Sequence, residues 1–320
     1  MPLATRAYSD VNISGTMIAD VTPENPAPGE VVNIRVTSYG ADLNRSNITW
    51  SNNGTAFKVG VGERVVNVRV GTAGTESAIN ITAVTREGEV LEKVISFRPA
   101  GVSLLWQART YVPSYYAGRA LPTAGSSATI VAEPDFIDAV GARIGAGNLI
   151  YEWTRNGNRI ESASGHGKYY FEIDNISSFS DEKIGVVVSD ISGDIIAENA
   201  VTIPLRQARL AVYEESPLKG TLFERAMTGV FDMLSTELTL RSEPYFYRLN
   251  LSEPPAINWS INGLVANPDT DNPLLLTLRQ PVDKRGTAEI IHTINSGAGI
   301  TQTLLAVPIT LNFMGVQTRF

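Results

Sequence analysis

One motif recurs three times in this chain and decides what the chain can fold into. Trp50-Ser51-Asn52-Asn53-Gly54 returns as Trp153-Thr154-Arg155-Asn156-Gly157, and again as Trp259-Ser260-Ile261-Asn262-Gly263. The three tryptophans stand 103 and 106 residues apart, the length of a small β module. A strand that carries Trp inward and then reverses at Asn-Gly satisfies the motif. A two-residue type I′ turn needs positive φ at both central positions, and Asn-Gly supplies them. Trp50, Trp153 and Trp259 are therefore expected as core pins, with Gly54, Gly157 and Gly263 closing the hairpins. An aromatic face can also bind a sugar ring, but a mid-strand position in phase with apolar neighbours favours the core.

Around each hairpin the chain reads as about seven short strands bounded by turn residues, the pattern of an immunoglobulin-like sandwich. In the first copy the strands are expected near 11–19, 31–38, 47–53, 55–60, 65–71, 78–86 and 90–98. Val31–Val36 and Ile79–Val84 alternate with period two, as half-buried strands do. The fold expected is all-β: three tandem immunoglobulin-like β-sandwich modules, spanning 8–99, 102–204 and 208–313, in an elongated arrangement. The joints, Arg98-Pro99-Ala100-Gly101 and Pro204-Leu205-Arg206-Gln207, are short and contain proline, which restricts swing. Strands of about ten residues make each sandwich roughly 35–45 Å long, so three end to end would span on the order of 100–130 Å. Copies two and three are the more alike: Glu133-Pro134-Asp135-Phe136 matches Glu243-Pro244-Tyr245-Phe246. Helix is expected only around Thr221–Met233, where Leu222, Ala226 and Val230 share a helical face.

Composition narrows the chemistry. The 320 residues include no Cys and 2 His, which excludes disulfides, thiol nucleophiles and thiolate metal sites and leaves little for histidine chemistry. Against 26 Lys and Arg stand 33 Asp and Glu, a net charge of −7. That balance argues against nucleic acid and anionic lipid as partners. No run approaches the ~20 apolar residues that span a bilayer, so no direct membrane insertion is expected. Residues 1–6 lack the apolar core of a secretory signal, and a signal removed ahead of this numbering would reconcile that with export. No cofactor is implied. No Gly-x-Ser-x-Gly elbow occurs, and neither His166 nor His292 lies in a triad pattern, so the chain is read as no enzyme.

Aromatic residues outside the hairpins are the candidates for contact. Tyr111, Tyr115, Tyr116 and Phe136, with their counterparts Tyr245, Phe246 and Tyr247, lie on the long connections of copies two and three. Tyr-rich loops on a rigid scaffold make low-entropy binding surfaces. The competing reading is that the same rings fold back as lids over a sandwich end or pack a neighbouring module. Trp106 sits near the first joint, where packing is the simpler role. Arg119 with Glu133, and Arg225 with Glu243, recur together and are expected to pair. The acidic pairs Asp190…Asp194 and Asp269…Asp271 offer oxygen ligands but lack a calcium loop pattern, and no metal is expected.

The hairpins, taken with Trp106…Tyr111-Val112-Pro113-Ser114-Tyr115-Tyr116-Ala117-Gly118-Arg119-Ala120-Leu121-Pro122 and Tyr213-Glu214-Glu215-Ser216-Pro217-Leu218-Lys219-Gly220, resemble a known group. They are similar to uncharacterised surface proteins of candidate-phyla (Parcubacteria-like) bacteria, which carry tandem Ig-like or PKD-type modules and are often associated with secretion or pilus systems. The resemblance covers about 100–313. It implies an exported β-sandwich protein and carries over no catalytic residue. The Trp-Asp-Phe-Gly-Asp-Gly signature of PKD domains is absent, so Ig-like is the better description. The function expected is structural or interactive, a semi-rigid stalk or appendage component outside the cell or in its envelope. Its partners would be other surface proteins or further copies of itself. The alternative is a carbohydrate-binding or adhesive module acting through the Tyr-rich connections, with polysaccharide as ligand.

Overall fold

The period-two alternation of the first repeat becomes seven strands: β1 (Met17–Thr22), β2 (Val31–Ser38), β3 (Asn47–Asn52), β4 (Thr55–Val61), β5 (Val65–Arg69), β6 (Ser77–Val84) and β7 (Val90–Phe97). This is a computed structural model, and it describes residues 16–176, 180–248, 255–268, 271–280, 285–296 and 303–314. The strands form two sheets, ordered β1-β2-β5 and β4-β3-β6-β7. Val32, Ile34 and Val36 of β2 point inward while Asn33 and Arg35 face out, and Ile79, Ile81 and Ala83 of β6 do the same from the other sheet. With Trp50 and Ile48 they make one core cluster. Of the first strand expected over 11–19, residues 17–19 fall in β1, which runs on to Thr22, and residues 11–15 lie outside the described residues.

The same order returns in the other repeats. The second contains β8 (Gly101–Ala108), β9 (Thr110–Tyr111), β10 (Ala128–Asp135), β11 (Ile150–Arg155), β12 (Asn158–Arg159), β13 (Gly165–His166), β14 (Tyr170–Ile173), β15 (Glu182–Ser189) and β16 (Ile196–Ile203). Its sheets run β14-β10-β8 and β12-β11-β15-β16, with β13 pairing β11. The third contains β17 (Arg209–Ser216), β18 (Gly220–Thr221), β19 (Gly229–Met233), β20 (Glu237–Tyr245), β21 (Tyr247–Arg248), β22 (Ala256–Ile261), β23 (Leu264–Ala266), β24 (Leu275–Arg279), β25 (Gly286–Ser296) and β26 (Thr303–Phe313). Its sheets run β18-β17-β20-β24 and β19-β26-β25-β22-β23. In all three copies the Trp strand lies between its hairpin partner and the penultimate strand of the repeat. This is the Greek-key order of an immunoglobulin-type sandwich whose fourth strand joins the sheet of the third. The chain is thus an all-β array of Ig-like repeats.

By its contacts the chain divides into two compact units. One takes Met1–Leu105, Val131–Tyr170 and Ile184–Val201; the other takes Trp106–Ile130, Phe171–Lys183 and Thr202–Phe320. The division runs through the second repeat. The first unit holds the core around Trp50, and the second holds a core of Trp259, Leu240, Ile290, Ile309 and Leu311.

The helix expected over Thr221–Met233 is a correction. Thr221 ends the short strand β18, and Gly229–Met233 is strand β19, running parallel to β26 with Val230 opposite Thr310 and Phe231 opposite Leu311. Gly229, inside the expected span, holds φ of 83°, which interrupts a helix there. The four-residue spacing of Leu222, Ala226 and Val230 had no helix to serve.

Candidate functional site

The three tryptophans come first, because the site is hung on the sandwiches they pin. Trp50, Trp153 and Trp259 are all fully buried or nearly so. Each indole N–H donates to a main-chain carbonyl: Trp50 to Glu63 at 2.7 Å, Trp153 to Lys168 at 2.8 Å and Trp259 to Pro273 at 2.9 Å. Glu63, Lys168 and Pro273 each lie two residues before a strand of the opposite sheet, β5, β14 and β24. The indole therefore fills the core and also fastens its own sheet to the start of the other. The periodicity revealed the ring's burial, while its bond partner lay beyond the reach of local pattern.

Asn-Gly has a second task as well. Asn53, Asn156 and Asn262 hold φ of 48°, 53° and 50°, and Gly54, Gly157 and Gly263 hold 83°, 83° and 79°, the left-handed pair the turn requires. The Asn53 side-chain oxygen accepts the Ala78 N–H at 2.8 Å, and its amide donates to Glu76 at 3.3 Å. Asn262 repeats the first bond with Glu289 at 2.9 Å. The turn is thereby clasped to the next strand of the sheet. Asn53→Gly keeps the backbone freedom and loses the clasp, so it is expected to cost about 1 kcal/mol in a urea titration.

The Tyr-rich connections meet inside the second unit. Strand β20 ends at Tyr245, and Phe246 then takes φ of 54°, a left-handed conformation that costs an aromatic residue on the order of 1 kcal/mol. This break re-aims the chain, so that β21 pairs with β9, Tyr247 opposite Tyr111 and Arg248 opposite Thr110. Thr110 donates its hydroxyl to Leu121 at 2.8 Å, which closes the connection between them into a loop. At the loop's turn, the Tyr116 N–H bonds to the Pro113 carbonyl at 2.9 Å.

Two rings project from this turn. Tyr115 stacks on Phe223, centroids 3.4 Å apart, and stands nearly perpendicular to Tyr213 and Tyr245 at 6.4 and 6.5 Å. Tyr116 meets Tyr245 and Phe246 edge-on at 5.9 and 5.7 Å. The edge-to-face pairs among these add about 0.5–1.5 kcal/mol each beyond their burial. The Tyr245 hydroxyl bonds to the Tyr115 hydroxyl and, at 2.8 Å, to that of Tyr213. Gly118 makes room for the fold-back: a Cβ there would lie 2.5 Å from the Tyr116 hydroxyl. Burial, followed by the hydroxyl contacts, holds Tyr115 well above the usual phenol range. Burial is also the main reason Tyr245 is pushed up to about 12, its contact with Tyr115 lowering it and that with Tyr213 raising it.

Beside the rings lies a buried carboxylate. Glu243, 2% exposed, accepts from Arg241 Nε at 2.6 Å and from the Tyr111 hydroxyl at 3.3 Å. Arg241 reaches on to Glu215 at 3.8 Å. The bond to Glu243 raises the Arg241 pKa, and burial, with Glu243 next, raises that of Tyr111. The expected pairing of Arg225 with Glu243 is a correction: Glu243 is occupied by Arg241, two residues along its own strand, and Arg225 lies over the Phe231 ring at 4.8 Å. Arg119 likewise lies over Trp106, which is half-buried, at 4.5 Å. Sequence spacing favoured the recurrent pair, whereas same-face strand neighbours are two residues apart. A double-mutant cycle on Arg241 and Glu243 should give a coupling of about 2 kcal/mol, and one on Arg225 and Glu243 close to none.

The remaining candidates fall elsewhere. Phe136 is fully buried, and Phe246 and Tyr247 nearly so, which leaves them no face for a ligand. Tyr115 is 37% exposed. Asp190 spends its carboxylate on the Ile195 N–H and the Ser192 hydroxyl, a turn arrangement. Asp269 lies outside the described residues. Among the described residues no group of three or more His, Asp or Glu could hold a metal, and no helix is long and apolar enough to cross a membrane. His166 lies in β13, opposite Ile150 of the Trp strand β11. His292, also read as a strand residue, turns out to be completely buried against Trp259, with ring centroids 3.8 Å apart. Sequence offered no signal for that contact.

No family model matches this chain, and no curated protein matches it. Among solved structures it is similar to three N-terminal domains of the highly immunogenic outer capsid protein of bacteriophage RB49, with TM-score 0.29 and 12% identity over 95% of this chain and 99% of that one. Fibronectin(III)-like modules of Clostridium thermocellum CbhA give TM-score 0.29 and 15% identity, covering 59% of this chain and 95% of theirs. The central fibronectin-III array of RIM-binding protein gives 0.28 and 12%, covering 93% and 96%. Scores this low add nothing to the strand order, on which the assignment of Ig-like repeats stands.

Proposed function

We propose that this chain is a non-enzymatic structural or interaction protein of the cell exterior or envelope, a stalk or appendage component that sets a distance between what it joins. The observation that carries this reading is the use made of the Tyr-rich connection. The faces of Tyr115 and Tyr116, the best candidates for ligand contact, are spent on Phe223, Tyr213, Tyr245 and Phe246. Aromatic packing, the β9–β21 pairing and the Glu243 network together fix the second repeat's connection to strands of the third. A fixed connection suits a spacer, whose output is geometry. Partners of the same kind have a place to dock: edge strand β4 exposes Phe57, Val59 and Val61, and an edge with apolar side chains invites strand addition by another surface protein or another copy. Small-angle scattering on the peak from a sizing column tests the reading. A largest dimension on the order of 100–130 Å supports the stalk, and a compact profile sinks it.

Adhesion to polysaccharide through the same connections is the second reading, favoured by the part of Tyr115 that remains exposed. Retention on a polysaccharide column that is lost in Tyr115→Ala, with the circular dichroism spectrum unchanged, would favour it over the stalk.

A further inference from the structure

Three phenol groups, Tyr115, Tyr213 and Tyr245, stand in direct contact beside the connection of the second repeat. Tyr245 shares hydrogen bonds with both Tyr115 and Tyr213, and these residues come from distant parts of the chain: 130 positions separate Tyr115 from Tyr245. Such a triad has a chemistry that single tyrosines lack. We propose that it is an oxidative cross-linking site, at which a one-electron oxidant joins Tyr115 to Tyr245 as dityrosine.

The geometry favours that pair. Carbon–carbon coupling takes place at the ring positions next to the hydroxyl, and contact between the two hydroxyls holds those positions on neighbouring parts of the two rings. The two rings meet at 84°, an angle that a twisted biaryl accommodates, and coupling requires their centroids to approach from the present 6.5 Å. Tyr115 is 37% exposed and gives an oxidant access, while Tyr245 lies deeper and is held in place by Tyr213 and Tyr116. Holding both reactants in one arrangement replaces a bimolecular encounter by an intramolecular step.

The reaction balances with a peroxide as oxidant. Each phenol gives up one electron and its hydroxyl proton to become a phenoxyl radical. The radicals couple through their ortho carbons, and two C–H bonds break as the protons return to the oxygens. The net loss is two electrons and two protons, which reduce one hydrogen peroxide to two waters. The product ties the connection of the second repeat to strand β20 covalently. The inference stands on the contact alone, independently of the stalk reading, and a compact scattering profile would leave it intact.

The test uses the full chain with a haem peroxidase and hydrogen peroxide, with free tyrosine in the same tube as a positive control. The expected result is a monomer lighter by two hydrogen atoms, with blue dityrosine fluorescence and a peptide pair joining Tyr115 to Tyr245. Tyr115→Phe and Tyr245→Phe, each keeping its ring, should lose that peptide pair, while Tyr39→Phe, at a residue 95% exposed, should keep it. An unchanged monomer mass while free tyrosine is converted would overturn the proposal. So would cross-links confined to dimers, or a cross-linked monomer that persists in Tyr115→Phe.

Discussion

Trp50→Ala is expected to cost about 3–5 kcal/mol, a large share of what holds a domain of this size together. The ring is fully buried in the core cluster with Ile34, Ile48, Ile79 and Ile81, so its removal opens a cavity that the two sheets cannot both collapse into. The same change leaves the Glu63 carbonyl without its indole donor. Trp50→Phe separates the two contributions. It retains most of the apolar volume and loses the bond, so its cost should be about 1–3 kcal/mol. Urea titrations of the wild type and both variants give the ordering. Hydrogen exchange should locate the loss in β2, β3 and β6 and leave the strands around Trp259, which belong to a separate core, unchanged. A Trp50→Phe as costly as Trp50→Ala would place the whole effect in the carbonyl bond and none in the packing.

Acidification should weaken the third repeat through His292. The imidazole is fully buried and stacked on Trp259, and its ladder neighbours are Trp259 and Val307, neither of them ionisable. Its Nδ1–H donates to the Asn258 carbonyl at 3.1 Å, while Nε2 has no hydrogen-bond partner among the described residues. A second proton would therefore place a charge and an unpaired N–H in an apolar core. Burial lowers the pKa to about 4 from an ordinary 6.5, the Asn258 bond only partly opposing it. Between those values the unfolded chain binds the proton and the folded chain does not. Stability is then complete above pH 6.5, falls as pH drops toward 4, and is lost by about 3 kcal/mol below that. His292→Phe keeps a ring against Trp259 and removes the titration. The difference in urea midpoint between wild type and variant should shrink or reverse across that window. A difference independent of pH would show that the ring is not protonated on unfolding.

What was legible in the sequence divides by the range of the interaction. Trp-x-x-Asn-Gly could be read because a strand, a turn and a positive φ are all settled within a few residues. The alternation of Val31–Val36 could be read for the same reason. Strand β19 could not, because Val230 and Phe231 become a strand only by lying beside Thr310 and Leu311, some eighty positions away. The partner of Glu243 was misjudged because recurrence between copies favoured Arg225, and strand geometry favoured Arg241. Tyr115 and Tyr245 were both singled out, but nothing local says that they touch. His292 looked like any other strand residue, since the ring that covers it belongs to another strand of the sheet.

The tryptophan bond also explains how three copies can drift so far apart and still be built alike. Its donor is a side chain that no other residue reproduces, but its acceptor is a main-chain carbonyl, which every amino acid carries. Glutamate, lysine and proline fill the acceptor position in the three copies, and all serve equally. Substitution can run freely on one side of the bond while the other side stays fixed. In each copy the bond thus asks for one fixed letter, the tryptophan, and leaves the identity of its acceptor residue open to change.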